Sequence, residues 1–86
     1  MNELTDLPNI GEILAEKLYA IGVNSREDLV AKGSVEAVLE IGEPDQSACY
    51  NMLYALEGAI RGVRWHAISK EERSMFKEEY DAARAR

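Results

Sequence analysis

Two short stretches of the chain gather residue types able to do chemistry. In LPNIG, Leu7 to Gly11, a proline, an asparagine and a glycine make a tight turn directly ahead of a helical stretch. The backbone N–H groups of Ile10, Gly11 and Glu12 begin that helix without intrahelical partners, at the positive end of its dipole, where a phosphate oxygen can accept from them. Asn9 stands in the turn and Lys17 is the only nearby cation. Asn9 also suits an N-cap, with Glu12 three residues on to return the bond, and a capping asparagine would occupy the donors itself. Glu12 and Glu16 further oppose an anion. A turn kept for packing is therefore favoured over a turn kept for a phosphate.

The second stretch is YNMLYALEGAIRGVRWHAI, Tyr50 to Ile68. Arg61, Arg64, Trp65 and His66 group at the end of a helix, where the dipole favours cations, and Arg73 lies in the next helix. They read as a basic-aromatic patch for nucleic acid or an acidic partner. They read equally as structure: Trp65 filling the core, Arg61 and Arg64 paired with carboxylates of the first half, and His66 helping to end the helix. Surface charges more often pair than bind, and the structural reading is favoured.

Catalysis has little to stand on. His66 is the only histidine and Cys49 the only cysteine, and Cys49 falls on an apolar stripe rather than beside a base. No pair of metal ligands recurs at fixed spacing, so neither a catalytic residue, a metal nor a cofactor is expected. The lone cysteine also excludes an internal disulfide, in keeping with a reducing cytoplasm.

Composition points to contacts with protein more than with nucleic acid. The 86 residues carry a formal net charge of −6. Met1 to Ala48 holds three Lys or Arg against ten Asp or Glu, whereas Cys49 to Arg86 holds seven against six. Because DNA affinity comes largely from cations neutralising phosphates, the acidic half weakens any nucleic-acid role without removing it. No apolar run is long enough to span a bilayer, and the amino terminus is acidic where a secretory signal would be basic, so no membrane partner is expected.

The elements that must position these groups are helical throughout, since no segment alternates with period two. Ile10, Leu14, Leu18 and Ile21 mark a helix over about residues 10–21. Ser25 with Asp28 opens a short helix that Gly33 stops, with Leu29 and Val30 facing inward, and Ser34 starts a third that ends at Gly42. Pro44 breaks the chain, Asp45 caps the next helix, and that helix, the longest, is expected over about 46–64 with Cys49, Met52, Leu56, Ile60 and Val63 on one face. Ala55, Gly58 and Gly62 form a small-residue line along it. Each glycine costs about 1 kcal/mol in a helix interior, so close approach of another backbone is expected there. Ser69 with Glu72 caps a last helix over about 70–84, with Met75, Phe76, Tyr80 and Ala83 inward. The expectation is one all-α domain, residues 1–86, a compact bundle of about five helices.

Leu7, the tight turn, Gly11 and Ala15 also match the helix-hairpin-helix pattern, with a lead-in helix around residues 2–6 and the whole element over about 2–22. Taken together, LTDLPNIGEILAEKLYAIGV and NMLYALEGAIRGVRWHAI resemble the C-terminal domain of the TfoX/Sxy family, bacterial regulators of natural competence, over about residues 3–70. The resemblance implies an all-α domain containing a helix-hairpin-helix element and a connection with transcription activation of DNA-uptake genes. Full-length members carry a further N-terminal domain, so the chain reads as a stand-alone relative or a fragment. The leading expectation is a non-enzymatic regulatory module acting through a protein partner, with the transcription machinery a possible one; the alternative is a DNA-binding module using the hairpin turn with Arg61, Arg64 and Arg73.

Overall fold

A computed structural model describes residues 4–85. Five α-helices succeed one another: α1 (Glu12–Ala20), α2 (Arg26–Lys32), α3 (Ser34–Ile41), α4 (Gln46–Arg61) and α5 (Lys70–Arg84). Single 3₁₀ turns at Leu4–Asp6 and Trp65–Ala67 precede α1 and α5. Of the lead-in helix expected over residues 2–6, the described part is the turn Leu4–Asp6; residues 2 and 3 lie outside the described residues.

The helix starts obey local chemistry. Ser25 Oγ accepts from the Asp28 N–H at 3.1 Å while Asp28 accepts from the Asn24 N–H at 3.0 Å, a reciprocal cap on α2. Asp45 Oδ1 accepts from the N–H groups of Ser47 and Ala48 to open α4, and Ser69 Oγ accepts from that of Glu72 to open α5. At α1 the chain departs from expectation. The helix begins at Glu12 with Gly11 as its N-cap, and no side chain caps it. Asn9 is pulled away by a different set of partners.

α4 is the axis of the bundle, packing against α2, α3 and α5, while α1 rests mainly on α3. Leu18, Val23, Leu29, Val38, Leu53 and Leu56 are buried in one cluster, to which Leu4 and Tyr80 also belong. The inner face of α4 runs through Cys49, Leu53, Leu56 and Ala59; Met52 and Ile60 sit half-buried at its edges. Three residues expected inside are outside: Val30 is 48%, Met75 57% and Val63 36% exposed. On α2 and α5 the adjacent residue, Leu29 or Phe76, keeps the inward place expected of it, since neighbours differ by about 100° around a helix, and Val63 lies past the end of α4.

The small-residue line on α4 resolves into separate roles. An ideal Cβ at Gly58 would lie 2.5 Å from Asn9 Nδ2 and 2.7 Å from the Val63 carbonyl oxygen. No side chain fits. Gly62 differs, because nothing lies within 4 Å of the place its Cβ would take. Its φ of +76° places it in the left-handed region just past the helix, where the Gly62 N–H donates to Ala59 and the Val63 N–H to Gly58. That is a Schellman ending, and it stops α4 at Arg61, short of the expected residue 64. Close approach accounts for one glycine, and backbone conformation for the other.

Gly58→Ala should therefore cost about 3 kcal/mol through overpacking, and Gly62→Ala about 1 kcal/mol through left-handed strain. In a domain of this size 1 kcal/mol shifts the thermal midpoint by about 4–8 °C. Thermal denaturation should rank parent, Gly62→Ala, Gly58→Ala in falling order; a Gly58→Ala midpoint at or above that of Gly62→Ala would contradict the assignment.

Candidate functional site

The turn and the basic-aromatic stretch, 39 positions apart from Gly11 to Tyr50, are brought together by Asn9. Its φ is +70°, a conformation asparagine tolerates better than most residues. From there its amide reaches the end of α4: Nδ2 donates to the Val63 carbonyl at 3.0 Å and to the Ala55 carbonyl at 3.3 Å, while Oδ1 accepts from the Trp65 N–H at 3.2 Å. Both amide hydrogens and the oxygen are engaged. Asn9 thus binds another part of the fold instead of capping α1, so the helix amides it was expected to occupy are left without a side-chain partner.

The cations do not pair with carboxylates of the first half as expected. Arg61 pairs within its own half, with Glu57 at 3.2 Å and Glu72 at 2.9 Å, and its guanidinium lies 5.4 Å from the Phe76 ring centre. The Glu72 hydrogen bond holds the Arg61 guanidinium charged above its ordinary range, against the opposing effect of burial. Glu57 also accepts from the Ser34 hydroxyl at 2.9 Å, so one short network joins α3, α4 and α5. Trp65 is half-buried, not a core plug. Its ring lies 3.9 Å from that of His66, and the Arg73 guanidinium stands 5.4 Å from its centre. Arg73 Nε is buried without a hydrogen-bond partner among the described residues, and the Trp65 ring offers that guanidinium a cation–π contact. Arg64 is exposed and makes no ion pair with the described residues. Beside this cluster a cleft of about 350 Å³ is lined by Asn9, Asn51, Tyr54, Ala55 and Trp65.

A larger feature lies on the other side of the turn, and sequence reasoning did not find it. Because α1 leans on α3, an open groove of about 570 Å³ runs between the start of α1 and α4. Ile13, Leu14, Ala48 and Met52 give it apolar walls. Ile13 is 73% exposed. Lys17, the cation expected to serve the turn, instead pairs with Glu43 at 3.0 Å within the groove lining. That bond, with a second from the Asp45 N–H, holds the Glu43 carboxyl below the usual carboxylate range despite some opposing desolvation. The sequence signal for the groove was Ile13 itself, an apolar residue off the stripe formed by Ile10, Leu14 and Leu18.

Cys49 and His66 are not brought together. Cys49 is buried, its thiol donating to the Glu43 carbonyl at 3.1 Å, and His66 lies beyond the far end of α4, with about 18 Å of helix between Cys49 and Arg61 alone. No group of three His, Cys, Asp or Glu able to hold a metal occurs among the described residues. None of the described helices is long and apolar enough to cross a membrane.

Residues 1–80 match the family model of the TfoX C-terminal domain. The chain belongs to the TfoX C-terminal domain family. Two solved structures resemble this TfoX C-terminal domain closely. One, an uncharacterized protein from Listeria monocytogenes in a triclinic crystal form, is 38% identical, with a TM-score of 0.84 over 96% of this chain and 94% of its own. The other, a protein of unknown function from Listeria monocytogenes in a tetragonal form, is 40% identical, with a TM-score of 0.80 over 93% of this chain and 98% of its own. No curated protein matches the chain.

The geometry changes what substitution of Asn9 should do. Glycine supplies the positive φ but forfeits all three hydrogen bonds, so Asn9→Gly should lose about 2 kcal/mol, and Asn9→Ala about 1 kcal/mol more because alanine is strained there. Urea denaturation should show both below the parent with alanine the lower; an Asn9→Gly variant as stable as the parent would mean that the three bonds contribute nothing.

Proposed function

We propose that this TfoX C-terminal domain is a non-enzymatic regulatory module of the bacterial cytoplasm that acts by protein contact, and that the contact bears on transcription of DNA-uptake genes. The observation that carries the reading is the apolar groove between α1 and α4 with Ile13 exposed on it. The fold does not need Ile13, since α1 buries Ala15 and Leu18 instead. In this reading the apolar wall of the groove is the surface that a partner covers. The family contributes the link to competence, and the transcription machinery is the corresponding class of partner.

A second reading, DNA binding, is favoured by one observation. The 3₁₀ turn, the Leu7–Gly11 turn and α1 form a short helix-hairpin-helix-like element in this reading, and α1 starts without a side-chain cap. Phosphate oxygens would take the N–H groups of Gly11 and Glu12, with Arg64 and Arg73 alongside. Against it stand Glu12, exposed in the first turn of α1, the engagement of Lys17 and Arg61 by carboxylates, and a net charge of −6. Electrostatics favours the protein partner.

Titration with duplex DNA at low salt separates the two. The protein-contact reading expects no binding. Binding that weakens with salt, with a slope of about −0.9 per phosphate contacted, and that Arg64→Ala reduces, would overturn it in favour of DNA. In cells carrying a reporter for a DNA-uptake gene, the same reading expects Ile13→Glu to abolish the response and Arg64→Ala to leave it intact.

A further inference from the structure

The groove also says what kind of partner it fits. Resting on the protein-contact reading, we propose that the groove between α1 and α4 receives the apolar face of an amphipathic helix from another protein, and that this helix carries Lys or Arg beside its apolar stripe.

The shape comes first. Two helix surfaces flank an open trough of about 570 Å³, with Ile13, Leu14, Ala48 and Met52 as its apolar lining, and the described residues form no sheet. A strand would find no unpaired sheet edge to add to, whereas a helix presents apolar side chains at i, i+3, i+4 and i+7 to such a trough. Met52 suits that use because its unbranched thioether repacks around differing side chains.

Charge then selects the occupant. Glu12 lines the groove and is exposed, Glu16 is exposed one turn further along α1, and the lining cation Lys17 is already neutralised by Glu43. The half of the chain that builds α1 and the Glu43 segment holds ten acidic residues against three basic ones. A helix flanked by Lys or Arg gains from that field and associates faster for it, while one flanked by Glu is repelled. The same field disfavours a second copy of this chain, since a two-fold pairing through the groove would bring Glu12 and Glu16 of both copies together. It disfavours an anionic membrane surface for the same reason.

The test uses the intact chain and a displayed library of helical peptides with a fixed apolar stripe and flanking positions drawn from Lys, Arg, Gln and Glu. Ile13→Glu serves as counter-target, and Ile13→Ser, which removes the apolar contact without adding charge, as its control; both are confirmed as folded by circular dichroism. Selected peptides should be enriched in Lys and Arg at the flanks, bind the parent at least about tenfold more tightly than either variant, and lose affinity with salt. Glu-rich or charge-neutral winners would overturn the proposal, as would concentration-dependent dimers that Ile13→Glu dissociates. Winners that bind the variants as well as the parent would sink the groove but leave the protein-contact reading standing. An absence of winners sinks the groove too. If the parent also retains no protein from native cytoplasm, the broader reading falls with it.

Discussion

The Asn9 amide is the contact on which the rest of the structure depends. One side chain ties the turn before α1 to the end of α4 by three hydrogen bonds, across 46 to 56 residues of sequence. Two features of the chain make room for it. Gly58 has no side chain where Nδ2 must pass, and the Schellman ending at Gly62 reverses the chain so that the Val63 carbonyl and the Trp65 N–H face Asn9. The end of α4 is then well satisfied: Ala55 accepts from Asn9, Gly58 from Val63, Ala59 from Gly62, and Ile60 from the Arg26 guanidinium. A cation at that last carbonyl also meets the negative end of the helix dipole.

This clamp links the two surfaces. By fixing the turn against α4, it sets where α1 begins, and α1 then leans on α3 and leaves the apolar groove on one side. Trp65, for its part, is held by its backbone at Asn9, and its ring contacts His66 and Arg73. Of the three arginines that suggested a nucleic-acid surface, Arg61 is engaged by Glu57 and Glu72 and Arg73 stands over Trp65, which leaves Arg64 exposed. What stays exposed beside the clamp is an acidic surface with an apolar groove.

The features legible in the sequence were local ones. Ser25, Asp45 and Ser69 announce helix starts because capping needs only residues two or three positions away, and the order of the helices can be read from such signals. The cost of Gly58 in a helix interior gave notice of a close neighbour, yet nothing local could name Asn9 as that neighbour. The choice of Asn9 as a cap of α1 failed for the same reason: a cap and a long-range clamp use the same amide, and tertiary contact decides between them. Gly62 was mistaken for a packing glycine because a left-handed helix end and a close approach leave the same letter in the sequence. The groove escaped notice because it arises from the lean of α1, with only the off-stripe Ile13 to signal it.

The most direct test of the clamp is a double-mutant cycle between Asn9→Gly and Gly58→Ala, read by denaturant unfolding. Removing the Asn9 side chain takes away the atom that a Cβ at position 58 would meet at 2.5 Å, leaving the 2.7 Å approach to the Val63 carbonyl. The double variant should thus be more stable than the sum of the single losses predicts, by about 1 kcal/mol or more. Strict additivity of the two substitutions would contradict a direct contact between Asn9 and the backbone of α4 at Gly58.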